Sequence, residues 1–263
     1  MAQPDYLTGG QTEPGFIARY YPLYIAYATA LVGWLIVWRI KPNLWPRAAT
    51  PGFAHPWREV GWALLAGVGI ILIGQLYQRG LRLSGRGPLR EIAEVANQAM
   101  IFSPIWILLF IRGQGLSTVW LPTNRIGTRI IIGLILAVVA LFAYCVARSR
   151  PSAWFDTIKH VYHWKHLGFA AQVFFEDVAI AMLMVRLAAA LRRPWLAAVI
   201  VGFLFAAGHI PAMLENGVRF TEMTGLLFDF VLAASAIAVL QRAADVWWFW
   251  CVHFAMDMTQ FQS

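Results

Sequence analysis

An all-α fold, a polytopic bundle of about eight transmembrane helices, is what the amino-acid sequence predicts. Three observations predict it. The chain of 263 residues is 60% hydrophobic, with a mean hydropathy of +0.61. Its charged fraction is 13%, against roughly 25% in a soluble domain. That deficit is concentrated in long apolar runs separated by short polar segments.

The N-terminal segment, residues 1–19, opens polar and rich in Gly and Pro, without a basic start. The first apolar run, Tyr20–Ile40, is too long for a signal-peptide core. It ends in Arg39, Lys41 and Pro42 rather than a small-residue cleavage site, so it reads as a retained membrane helix. About 20 mostly apolar residues cross the hydrocarbon core. By that rule the spans are Tyr20–Ile40, Val60–Tyr77, Ala96–Ile111, Ile130–Ala147, Gly168–Leu191, Pro194–Leu214, Thr221–Leu240 and Val246–Phe261. The second and third are short, and the count falls to seven if one of them does not cross. No Ser/Gly-rich or charged linker interrupts the runs. Residues 20–147, the connection 148–167 and residues 168–263 therefore form one structural domain.

The connection interleaves Trp154, Ile158, Val161, Tyr162 and Trp164 with Lys159, Lys165 and three histidines, a mixture suited to a short interfacial helix. His160, His163 and His166 recur every third residue. A His metal pair on a helix is usually spaced i, i+4, so a solvated interfacial face is favoured over a metal site. His55, in a Gly/Pro-rich loop, is read the same way. The net charge of +8 resides in Lys and Arg between the apolar runs, where lipid headgroups rather than nucleic acid would meet them. Lys and Arg divide about equally between the two sides, which leaves orientation open. Cys145 and Cys251 fall inside apolar runs and read as small buried hydrophobes.

Ionisable groups inside spans are costly and usually functional. Here they gather in the last four spans. Glu176 and Asp177 interrupt an apolar run in the fifth, and His209 follows Phe205-Ala206-Ala207-Gly208 in the sixth. Asp229 lies in the seventh and is assigned a structural role, with Arg219 or Arg242 as partner. His253 and Asp257 share one helical face in the eighth. Counting 1.5 Å per residue and alternating span direction places Glu176, His209, His253 and Asp257 at similar depths. A carboxylate in a low-dielectric cavity becomes a competent base, an imidazole can hold water, and a second imidazole can face a developing oxyanion. Those are the parts of an amide hydrolase. No His-Glu-x-x-His zinc signature is present, although Glu176, His209 and His253 are of metal-ligand type.

An acidic pair, then Phe-x-x-x-His, then His-x-x-x-Asn/Asp on three helices of an apolar bundle resembles the CAAX protease and bacteriocin-processing (CPBP, or Abi) family of glutamate-type intramembrane proteases. The likeness covers roughly residues 168–261. It implies a peptidase with no cofactor or required metal, located in the bacterial cytoplasmic membrane. It implies Glu176 as general base, His209 as its partner on water, His253 as oxyanion donor, Asp257 at the position usually held by Asn, and Asp177 in support. The substrates it implies are membrane-spanning or membrane-tethered proteins and lipidated peptides, among them prenylated CAAX proteins, bacteriocin-like peptides and bacterial proteins with sorting tails, and no residue here selects among them. Two departures stand out. The family's first motif is usually Glu-Glu-x-x-x-Arg, whereas the Arg position here is Ala181, and Arg186 lies ten residues from Glu176. Asp257 can donate a hydrogen bond only when protonated; ionised, it accepts from His253. A proton-coupled transporter or a non-catalytic scaffold could hold the same groups. A transporter predicts internal repeats, and none relates the two halves.

Overall fold

Proline sets where many of the helices begin, because its missing N–H and fixed φ suit the first helical turn. The computed structural model describes residues 16–45, 51–215, 223 and 225–260. Pro56, Pro88 and Pro194 start three of the helices, and Gly87 precedes Pro88 at a positive φ of 57°. In chain order the helices are α1 (Phe16–Ile40), α2 (Pro56–Gln78), α3 (Pro88–Ile101), α4 (Ser103–Ile111), α5 (Ile126–Ala147) and α6 (Trp154–Val161). They continue with α7 (Leu167–Leu191), α8 (Pro194–Gly208), α9 (Ile210–Glu215), α10 (Gly225–Ala243) and α11 (Val246–Thr259). Single 3₁₀ turns occupy several connections, and no strand occurs among the described residues.

The all-α membrane bundle is as the apolar runs predict, with differences in detail. Tyr20–Ile40, Pro56–Gln78 and Ile126–Ala147 are long and apolar enough to cross a bilayer. The third run is broken: α3 and α4 meet at 44°, where Phe102 interrupts the helix just ahead of Pro104. The sixth run is broken as well, at His209, between α8 and α9. The start of the seventh, Thr221, lies outside the described residues. The connection 148–167 does contain a short helix, α6.

Lipid, not water, is the natural solvent for the outer surface. On α2, Leu65, Val68, Ile71 and Leu72 are each more than half exposed, and on α5 so are Ile131 and Ile135. Helix α7 is central, packing on α2, α3, α8 and α11, while α5 packs most closely on α11 and α1. Close approach of α5 and α11 depends on Gly133, where a Cβ would stand 2.7 Å from the Trp248 backbone. Small residues at such crossings let membrane helices associate through backbone contact.

Two buried polar clamps pin the bundle. In the first, Arg129 of α5 pairs with Asp245, the N-cap of α11, at 2.6 Å, with side chains 3% and 0% exposed. Trp45 Nε1 donates to the same carboxylate oxygen at 2.6 Å, and Arg129 Nη2 donates to the Leu44 carbonyl, tying in the segment after α1. Desolvation, the largest influence on Asp245, pushes its carboxyl up, and Arg129 and Trp45 oppose it. In the second clamp, Arg186 of α7 is fully buried and donates to the carbonyls of Thr118 and Met182 and to Gln114. Gln114 also donates to Glu59, which pairs with Arg112 at 2.6 Å.

Two outcomes follow from this packing. Asp245→Ala leaves Arg129 buried without its counter-charge, so unfolding in detergent should show a loss of about 3–5 kcal/mol. Gly133→Val overpacks the α5–α11 crossing and should cost about 1–3 kcal/mol in the same measurement.

Candidate functional site

Three helices bring the ionisable groups together. Helix α7 supplies Glu176 and Asp177, which as adjacent residues point about 100° apart around the helix. Asp177 is fully buried, whereas Glu176 is half-buried. Helix α11 supplies His253, which is buried, and Asp257, one turn further on with its side chain 24% exposed. His209 stands at the break after α8 and is exposed.

The strongest contact is between His253 Nδ1 and Asp177 Oδ1, at 2.8 Å and across two helices. His253 Nε2 lies 3.6 Å from Asp257 Oδ2, beyond hydrogen-bond range and within reach of one bridging water. An imidazole held at Nδ1 by a buried carboxylate has its ring plane fixed and its Nε2 directed away from that carboxylate. Asp177 Oδ2 is buried without a hydrogen-bond partner among the described residues.

Glu176 is arranged differently. Its Oε1 accepts a 2.8 Å hydrogen bond from Gln172, one turn earlier on α7. His209 lies within electrostatic reach of Glu176 and Asp257, and its Nδ1 is bonded to the Phe205 carbonyl at 2.9 Å. The five residues singled out in the sequence are thus gathered into one region, with a different internal order. The pairing places Asp177, rather than Glu176, at the centre of the direct contacts.

No Lys or Arg is paired with the acidic residues of α7 among the described residues. Ala181, one turn after Asp177, is fully buried in the packed interior. Arg186 is directed into the Gln114–Thr118 clamp and does not serve Glu176. The group that faces Asp177 is His253, from another helix. Two residues escaped the sequence reading. Gln172 carried a signal, a polar residue one turn before Glu176 in an apolar span. Tyr27 of α1 lies in electrostatic reach of Asp177 and Asp257, and a Tyr in an apolar first span carries no such signal.

The other polar groups fall outside this region. Asp229 of α10 acts electrostatically on Tyr24 of α1, and Arg219 lies outside the described residues. His160 and His166 rings are 5.0 Å apart, but no group of three or more His, Cys, Asp or Glu among the described residues is arranged to hold a metal. The three histidines are not one helical face, because α6 stops at Val161 and His163 instead caps the turn at Trp164–His166. Cys145 and Cys251 are both buried and unpaired with each other.

Comparison with protein-family models, with curated proteins and with solved structures finds no match to this chain.

The Asp177–His253 contact predicts energetic coupling. A double-mutant cycle with Asp177→Asn and His253→Gln, read by thermal unfolding in detergent, should return a coupling of about 1.5–3 kcal/mol. Glu176→Gln, whose wild-type side chain bonds among the described residues only to Gln172 of its own helix, should leave the unfolding temperature nearly unchanged.

Proposed function

We propose that the protein is an intramembrane endopeptidase that hydrolyses a peptide bond in a membrane-spanning or membrane-tethered protein. The observation that carries this reading is the convergence of Glu176, Asp177, His253 and Asp257, with His209 beside them, in the interior of an apolar bundle. Such groups are expensive in a membrane protein and mark function by default. The resemblance to the CPBP family gives the reaction class, and with it a place in the bacterial cytoplasmic membrane.

Glu176 accepts a proton from a water molecule, and the water oxygen forms a bond to the scissile carbonyl carbon. The carbonyl π electrons move to oxygen, and His253 Nε2–H donates to that oxyanion. On collapse the C–N bond breaks, and the proton held by Glu176 passes to the leaving amine. Each residue's position supports its role. Glu176 is half-buried and reachable, and Gln172 fixes the orientation of its carboxylate. Asp177 holds His253 by Nδ1, which leaves Nε2 for substrate. His209, exposed at the end of α8 and near Glu176, is positioned to hold the attacking water. No metal or cofactor takes part in this scheme.

A proton-relay transporter is the second reading, favoured by one observation. Asp177, His253 and Asp257 form a carboxylate–imidazole–carboxylate series of the kind that passes protons.

The test compares the C-termini and internal cleavage sites of membrane proteins in cells carrying wild type, Glu176→Gln or His209→Ala. Removing the general base should slow substrate processing by about 10²–10⁴-fold, with full-length substrate accumulating while the variant remains inserted in the membrane. Unchanged termini in both variants, alongside a phenotype on deletion, would remove the peptidase and favour the relay.

A further inference from the structure

A second polar site lies away from this cluster, at the polar ends of α3 and α7. Helix α3 opens with Pro88-Leu89-Arg90-Glu91, and the turn Trp164–His166 leads into α7. The two helices meet closely at Gly168, where a Cβ would stand 2.6 Å from Glu94 Cβ and 3.6 Å from Glu91 Oε2. Beside this crossing is a cleft of about 390 Å³, lined by Gly87, Arg90, Glu91, Trp164, Lys165 and His166.

Its chemistry is ordered from inside to outside. Glu91 is 8% exposed and lines the cleft, yet no hydrogen bond or ion pair engages its carboxylate among the described residues. Its neighbour Glu94, by contrast, accepts from Asn97. A place in the first turn of α3 favours an acid electrostatically, and the carboxylate, which opens on the cleft, is left without a hydrogen-bond partner among the described residues. Arg90 and Lys165 are exposed at the rim, and Trp164 is 50% exposed beside them. An inner anion, an outer pair of cations and an indole wall are complementary to a short zwitterion whose cation enters first.

We propose that this cleft binds the phosphoethanolamine headgroup of a membrane phospholipid, its ammonium on Glu91 and its phosphate between Arg90 and Lys165. A primary ammonium donates up to three hydrogen bonds, which the unpartnered carboxylate can accept. A quaternary choline has no N–H and is recognised by an aromatic cage, whereas the cleft offers the single ring of Trp164. A glycerol headgroup supplies no cation for Glu91. The surroundings fit a lipid. Leu89 and Ile92, on either side of Arg90 and Glu91, are 65% and 60% exposed, and Leu167 is 52% exposed. Trp beside Lys and Arg, next to exposed apolar residues, is the composition of the membrane–water interface.

The experiment uses the full chain in detergent, with native mass spectrometry of adducts from phosphatidylethanolamine, phosphatidylcholine and phosphatidylglycerol. Phosphatidylethanolamine should be retained about tenfold over phosphatidylcholine, and Glu91→Gln should abolish that preference. Lys165→Ala, at an exposed position, should weaken phosphatidylethanolamine retention about fivefold. Glu176→Gln should bind as wild type does, since the cleft is separate from the hydrolytic cluster. Equal retention of the ethanolamine and choline lipids, or a preference that survives both cleft variants, would overturn the proposal. So would displacement of the lipid by micromolar free O-phosphoethanolamine, which would assign the cleft to a soluble ligand.

Discussion

The Arg129–Asp245 ion pair fixes the position of α11, and the geometry of the interior depends on it. Asp245 serves three elements at once: it caps α11 through the Trp247 N–H, pairs with Arg129 of α5, and accepts from Trp45 behind α1. Two further bonds hold the same corner, from Val246 N to the Trp120 carbonyl and from Trp247 Nε1 to the Pro122 carbonyl. Eight residues along α11, about 12 Å by helical rise, stands His253. A corner held this firmly sets both the depth and the rotation of α11. Gly133 then lets α5 approach until backbone touches backbone. The imidazole meets Asp177 because the helix bearing it has little freedom to slide or turn.

The same logic separates the polar groups of α7. Arg186 and the acidic pair lie on one helix, ten residues and about 15 Å apart. A flexible Arg within reach of Glu176 or Asp177 would neutralise them. Its guanidinium is instead occupied by Gln114 and by two backbone carbonyls, with the ring of Phe53 5.6 Å away. The acidic pair is left to histidines from α8 and α11. An imidazole can both take up and give up a proton, which a guanidinium in a protein does not. For a hydrolase of the kind proposed, that exchange is the useful property.

Much of this was legible in the chain, for identifiable reasons. Long apolar runs announce membrane helices, and the costs of burying charge single out Glu176, Asp177, His209, His253 and Asp257. Depth counting brings them to one level because a helix rises by a fixed step. Partner choice was not legible, since it depends on rotation about each helix axis. His253 and Asp257 share a face, yet the closer partner of His253 is Asp177, across the α7–α11 interface. The helix breaks do carry local signals, Pro104 just after the first and Gly208 and Pro211 around the second, but a proline or glycine in an apolar run does not tell a kink from a full interruption. The buried state of Glu91 was equally invisible, because the first turn of a helix is an ordinary place for a Glu.

The break at His209 has a consequence for which nitrogen of that ring carries hydrogen. There the backbone N–H of His209 turns to the Ala206 carbonyl, 3.1 Å away, and the imidazole Nδ1 takes the Phe205 carbonyl that a regular helix would have given to that N–H. A carbonyl only accepts, so Nδ1 must donate. Neutral His209 is therefore held as the Nδ1–H tautomer, with the lone pair on Nε2. The helix end selects, through one backbone oxygen, which ring nitrogen of the neutral side chain is left as an acceptor.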